Sequence, residues 1–167
     1  MPKFLETEQL IIRAPLASDL DDWCKVSPGT REEVTAFLQR SIKDYERFGF
    51  SMGTMIEKST GKFVGRAGLY FYFAPDVKQD IEIGCFIDKD FRNRGIGTEI
   101  TTAMIDWAFK YLRVNRLTGL TPVNLINSHL VLERSGMRRA ERLQVDGEDV
   151  FLYEVHRGSW AENYAFA

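Results

Sequence analysis

Hydrophobic and polar positions change period along this chain in a way that marks out its elements. "TEQLIIRAPL" (residues 7–16) alternates apolar and polar residues and predicts an N-terminal strand. Ser18, followed three residues later by Asp21, predicts a capped helix start running through Trp23, and Pro28-Gly29 breaks it. Thr30 with Glu33 repeats the capping signature. Val34, Phe37, Leu38, Tyr45 and Phe48 then recur at helical spacing, and Gly49 stands where a C-cap belongs. Next the period drops to two. "FSMGTMIEKSTGKFVGRAGLYFYF" reads as two strands around a Ser59-Thr60-Gly61 turn. "DIEIGCFID" is a further strand, with Ile81, Ile83 and Cys85 on one face and Glu82 on the other.

From Ile96 to Leu112 the helical period returns. Ile100, Met104, Trp107, Ala108 and Tyr111 form a stripe that Ala103, Ile105, Phe109 and Leu112 widen, so this helix is expected to be largely buried. "RLTGLTP" is a short strand, and Asn127-Ser128 opens a short helix that Gly136 ends. "MRRAERLQV" and "DVFLYEVHR" flank Asp146-Gly147-Glu148, a strong hairpin signal. The order is β, α, α, a run of strands, then β-α-β-α-β-β. That order predicts an α+β or mixed α/β sheet.

Composition narrows the class. At 167 residues the chain is read as one domain, residues 1–167, with 44% hydrophobic and 28% charged residues. A net charge of −2 gives no broad basic face for nucleic acid. No apolar run approaches ~18 residues, so no membrane span is expected. Two cysteines, Cys24 and Cys85, and two histidines, His129 and His156, make neither a disulfide framework nor a metal site. A reduced, cytoplasmic protein is the expectation.

The chemistry-bearing stretch is "KDFRNRGIGTEI" (residues 89–100), placed where a strand ends and the long helix begins. Helix N-termini carry unpaired N–H groups and partial positive charge, and glycines let an anion approach them closely. Arg92 and Arg94 could add charge-assisted hydrogen bonds; the alternative is a turn with solvated arginines. A Walker A loop would need Lys-Ser/Thr after Gly97, where Thr98-Glu99 stand. A dinucleotide fingerprint would need a glycine at Ile100. Neither motif is met.

Arg92-x-x-Gly95-x-Gly97 resembles the pyrophosphate loop of the GNAT superfamily of acyl-CoA N-acyltransferases. "LETEQLIIRAPLASD", "GKFVGRAGL", "IEIGCFIDKDFRNRGIGTEI", "NSHLVLERSGM" and "DGEDVFLYEVHR" follow in the order and spacing of its branch related to ribosomal-protein N-terminal acetyltransferases. The resemblance spans Leu5 to Arg157. It implies a mixed, mostly antiparallel sheet of about seven strands, splayed between its two central parallel strands, with helices on both faces. It further implies that backbone N–H groups around Arg94, Gly95, Ile96, Gly97 and Thr98 hold the CoA pyrophosphate, with Arg92 and Arg94 helping. The pantetheine amides would pair with strand backbone around Phe86 and Ile87.

The reaction so implied is direct attack of an amine on the acetyl-CoA thioester, with no metal. Ser128, at the serine of the family's Asn-x-x-Ser motif, is the candidate partner of the departing thiolate, or else caps its helix. The motif's asparagine is replaced by Leu125, and Asn124 and Asn127 could take over its cofactor contact. Glu82 is the candidate base, with Tyr70 and Tyr72 as candidate orienters. Cys85 is read as core and His129 as a surface residue. Acceptor-facing loops are expected near Val26–Thr30 and Phe73–Asp80. The acceptor would be a protein N-terminus, such as that of a ribosomal protein, or a small amine, and the enzyme a monomer or homodimer. The alternatives are an acyl-CoA-binding module without catalysis and a non-enzymatic anion binder.

Overall fold

Cap and turn chemistry sets most element boundaries. The computed structural model describes residues 3–72 and 80–164. In chain order these form β1 (Lys3–Glu6), β2 (Leu10–Arg13), a 3-10 turn (Ala17–Asp19), α1 (Leu20–Val26), α2 (Arg31–Phe48), β3 (Met52–Glu57), β4 (Phe63–Phe71) and β5 (Ile81–Ile87). A second 3-10 turn (Lys89–Phe91) leads to α3 (Ile96–Tyr111), β6 (Arg116–Pro122), α4 (Ile126–Arg134), β7 (Arg138–Val145), β8 (Glu148–His156) and α5 (Arg157–Tyr164). The capping box at α2 forms as its sequence predicts. Thr30 N–H donates to Glu33 Oε2 at 2.7 Å, Glu33 N–H donates to Thr30 Oγ1 at 3.3 Å, and Gly49 ends the helix at φ 76°. The expected box at Ser18 does not form. Asp19 takes the role instead, accepting Leu16 N–H at 2.8 Å.

The eight strands follow the order β1-β2-β3-β4-β5-β6-β8-β7. Pairs β1–β2, β2–β3, β3–β4, β6–β8 and β7–β8 are antiparallel, and β5–β6 is parallel. The sheet is thus the expected mixed, mostly antiparallel one, with β1 added to the strands legible from periodicity; α5 was likewise not foreseen. The parallel ladder consists of Ile81↔Leu117 and Glu82↔Thr118. No described helix is long and apolar enough to cross a membrane.

The chain divides into two compact units, residues 1–70 with 84–100 and residues 71–83 with 101–167. All three boundaries fall inside elements, in β4, β5 and α3. The first unit has a core of Trp23, Val34, Leu38 and Met52, with Leu20, Phe37, Phe63, Tyr70 and Phe86 packed against it. Val34, Leu38 and Ser41 are the buried stripe of α2, whereas Phe48, at the end of the expected stripe, is exposed.

A polar chain runs through this core. Trp23 Nε1 donates to Thr54 Oγ1 at 2.9 Å, and Thr54 Oγ1 donates to Asp19 Oδ2 at 2.7 Å. Arg13 closes on the same carboxylate with two bonds of 2.8 and 2.6 Å. The network ties β2, the 3-10 turn, α1 and β3 together. Burial alone would raise the Asp19 carboxyl, but hydrogen bonds from Arg13, Thr54 and Leu16 outweigh it and hold the group below its ordinary value.

The second unit is built on β6 and β8, which pair along seven residues from Arg116↔His156 to Pro122↔Val150. Asp146 and Gly147, at φ 50° and 81°, make the two-residue hairpin turn between β7 and β8. Arg157 donates to the carbonyls of Phe109, Leu112 and Val114 at 2.5, 2.7 and 2.9 Å, satisfying acceptors that the end of α3 leaves open.

Asp19→Asn is expected to cost about 3 kcal/mol at neutral pH, because it leaves the Arg13 guanidinium without its counter-ion in the core. A depressed folded-state pKa contributes stability above the unfolded value of about 3.9 and loses it as pH falls through the folded value. Urea titrations should therefore show the gap between wild type and variant shrinking below about pH 4. A gap independent of pH would contradict this role.

Candidate active site

The loop between β5 and α3 is shaped by its own residues. Asp88 accepts Asp90 N–H at 3.0 Å and starts the 3-10 turn. Asn93 and Gly95 then take positive φ, 60° and 75°. A Cβ built on Gly95 would meet nothing within 4 Å, so open space lies against this backbone. The first intrahelical bond of α3 is Glu99 N–H to Gly95 C=O at 3.0 Å. The N–H groups of Ile96, Gly97 and Thr98 precede that ladder and form the positive end of a 16-residue helix. The geometry fits an anion at this helix end.

The two arginines of the loop are held, each differently. Arg92 is exposed, and its Nε donates to Ile87 C=O at 3.1 Å. Its terminal nitrogens form no hydrogen bond among the described residues. Arg94 is paired to Glu57 Oε1 at 2.7 Å and lies over the Phe91 ring, 5.2 Å from its centroid. Hydrogen bonds from Thr60 and Arg94 hold the Glu57 carboxyl below its ordinary value. Arg94 thus anchors the loop to β3, a partner the sequence did not announce.

On β5, the carbonyl of Phe86 faces β4: a Cβ on Gly65 would come 2.1 Å from it. Backbone groups alternate sides along a strand, so those of Cys85 and Ile87 face away from β4. Of the two residues around which the pantetheine arm was expected to pair, Phe86 turns its carbonyl toward β4. Cys85 is half-buried rather than part of the core, and burial pushes its thiol up to about 12, which makes it a poor nucleophile.

In the second unit Glu82 is buried, 4% exposed, and its Oε1 accepts Leu120 N–H at 3.2 Å. The carboxylate therefore meets a β6 amide two residues beyond the last parallel pair. Burial, then the charges of Glu82 and Asp146, raise the Tyr72 hydroxyl above its ordinary value, so it stays a neutral donor. Ser128 lies inside the first turn of α4, whose N-cap is Leu125. The capping role considered for Ser128 is thereby excluded, and its hydroxyl forms no hydrogen bond among the described residues. Asn124 and Asn127 are exposed.

His129 is buried rather than superficial. Its ring nitrogens lie 3.0 Å from Tyr153 Oη and 3.2 Å from Val123 O. Of the expected acceptor loops, Val26–Thr30 follows α1, while residues 73–79 lie outside the described residues.

Sequence reasoning assigned nothing to Arg66, yet a charged residue inside the apolar run "FVGRAGLYF" was a visible signal. Arg66 is 6% exposed, and its guanidinium forms no hydrogen bond or ion pair among the described residues.

A family model described as an Acetyltransferase (GNAT) domain matches residues 9–138. "Probable N-acetyltransferase YjcK" of Bacillus subtilis (strain 168) is 33% identical over 120 residues, 71% of this chain and 62% of that protein. The chain thus spans about three-fifths of that relative's length. The crystal structure of a GNAT-family acetyltransferase from Bacillus anthracis superposes with a TM-score of 0.73 at 20% identity, covering 92% of this chain and 98% of that one. RimL, a ribosomal L7/L12 alpha-N-protein acetyltransferase in complex with coenzyme A, superposes with a TM-score of 0.70 at 17% identity, covering 93% and 98%. The family model covers well over half of the chain, and the chain belongs to the GNAT acetyltransferase domain family.

Proposed function

We propose that the chain is a single catalytic domain that transfers an acetyl group from acetyl-CoA to a primary amine. The observation that carries this is the start of α3: Gly95 in the left-handed region with open space against it, followed by the N–H groups of Ile96, Gly97 and Thr98, which lack a partner among the described residues. Such a cradle suits a pyrophosphate. Arg92 offers its terminal nitrogens to the phosphates, while Arg94 holds the loop through Glu57. The backbone of Cys85 and Ile87, rather than that of Phe86, offers the strand edge for the pantetheine arm. Asn124 and Asn127 remain candidates for a further cofactor contact.

Acetyl-CoA supplies an activated thioester carbonyl. The amine attacks that carbon, the C–S bond breaks, one amine proton leaves to a base, and the thiolate takes up a proton. Glu82 is the proposed base, acting directly or through water. Ser128, with an uncommitted hydroxyl, is the proposed proton donor to the thiolate. The proposed acceptor is a protein N-terminus or a small amine; the fold neighbour RimL, a ribosomal L7/L12 alpha-N-protein acetyltransferase, supports the former.

Gly95→Glu should weaken CoA binding by at least about a hundredfold in calorimetry, because a carboxylate replaces open space beside the phosphates. The positive φ should also cost about 1 kcal/mol of stability. Unchanged affinity in the folded variant would overturn the loop assignment.

Ser128→Ala should lower turnover by about tenfold or more while leaving CoA affinity unaltered, and equal turnover would remove Ser128 from the chemistry. Glu82→Gln retains an acceptor for Leu120 N–H and removes only the charge. It should lower the rate by about a hundredfold and flatten the alkaline rise of the rate profile. An unaltered profile would place proton removal elsewhere.

A further inference from the structure

Arg66 has no counter-ion among the described residues. It projects from β4 into the core of the first unit, and its Cζ lies over the rings of Phe86, Phe37 and Trp23 at 4.2, 5.0 and 5.3 Å from their centroids. Those rings come from β5, α2 and α1. Aromatic faces attract a cation but accept none of its in-plane hydrogen bonds. Nε is fully buried and unpaired, and no carboxylate among the described residues meets the group. The contrast lies two strands away, on β2. Arg13, less buried, closes on Asp19 with two hydrogen bonds. The fold pairs a core arginine where structure alone is at stake, and it leaves Arg66 open.

Burial lowers the Arg66 guanidinium to about 10, which still leaves it charged at neutral pH. A planar cation bounded by rings, with its hydrogen-bonding edge unsatisfied, is complementary to a carboxylate, which is planar and takes two parallel bonds. Its place is also informative. The nearest ring, Phe86, belongs to the β5 segment proposed to carry the acyl arm, and Phe37, Tyr70 and Phe86 are only half-buried, so the aromatic wall reaches the surface.

We propose that Arg66 is the receptor for a carboxylate borne by one of the two reactants, so that the enzyme selects a carboxylate-bearing substrate. The inference rests on the acetyltransferase reading for the identity of those reactants. The carboxylate comes either from the acceptor, as in an amino acid or a peptide with an acidic N-terminal residue, or from the acyl group, as in a dicarboxylic acyl-CoA. Arg66 touches substrate without taking part in proton transfer.

The test uses the full chain. Rates of CoA release from acetyl-CoA are compared for free amino acids against their amides, and for peptides beginning with Asp or Glu against those beginning with Asn or Gln. The same neutral acceptors are run with succinyl-CoA against acetyl-CoA. Wild type should favour the carboxylate-bearing member on one of the two arms by at least tenfold in kcat/KM, and the arm that responds identifies the source. Arg66→Met should bring that preference to within twofold, and Arg66→Lys should keep part of it.

A second readout does not need turnover. Succinate should change tryptophan emission saturably in wild type, through Trp23, and should not do so in Arg66→Met. If wild type ignores the carboxylate on both arms and succinate leaves its emission unchanged, the proposal is overturned. It is equally overturned if Arg66→Met slows both members of each pair alike, which would make the guanidinium a packing element. CoA titration by calorimetry is read separately. Its failure would sink the acetyltransferase reading, while the succinate response would still decide the case of Arg66.

Discussion

The N–H groups that open α3 are the constraint around which the first unit is arranged. A helix start leaves donors without intrahelical partners, and they must find water, a side chain or a ligand. No side chain among the described residues caps them. The chain instead spends two positive-φ residues, Asn93 and Gly95, on bringing the backbone round into the helix, with open space against Gly95. Both arginines brace that turn, Arg92 through Ile87 C=O and Arg94 through Glu57. A turn needed only for connection would be satisfied more cheaply by one Ser, Thr or Asp at the N-cap, worth about 1 kcal/mol.

The same unit contains a buried cation without a counter-ion among the described residues, and comparison with Arg13 sets the scale. Arg13 and Asp19 form a buried pair with further donors from Thr54 and Leu16, so the charges largely compensate. Arg66 has three rings and no anion among the described residues. Cation–π contacts contribute about 0.5–2 kcal/mol each, whereas the effective penalty for burying an ion is several kcal/mol. The rings reduce the cost without cancelling it. An uncompensated group of this kind is what a binding site has before its ligand arrives.

Much of the fold was legible because local chemistry agreed with the final structure. The Thr30–Glu33 box, the Gly49 C-cap, the Asp146-Gly147 hairpin and the period of α3 each specify their element within a few residues. Ser18 misled because its neighbour Asp19 makes the same local bond and is also drawn into a long-range network. Two short elements, β1 and α5, were missed because four and eight residues carry too little periodicity. In the site, the glycine loop could be read from spacing, but backbone direction could not. Only the approach of Gly65 to Phe86 shows which way the β5 carbonyls turn. His129 looked superficial because its partners, Tyr153 and Val123, are 24 and 6 residues away. Arg94 and Glu57 are likewise 37 residues apart, beyond any local pattern.

The central claim is that the β5–α3 loop binds coenzyme A through its pyrophosphate. Titration of the chain with coenzyme A and with pantetheine, which shares the arm but lacks the phosphates, tests it directly. Coenzyme A should bind with one-to-one stoichiometry and pantetheine at least about a hundredfold more weakly, a difference that shrinks as salt rises. Equal affinity for the two, or no binding of coenzyme A at all, would contradict the account.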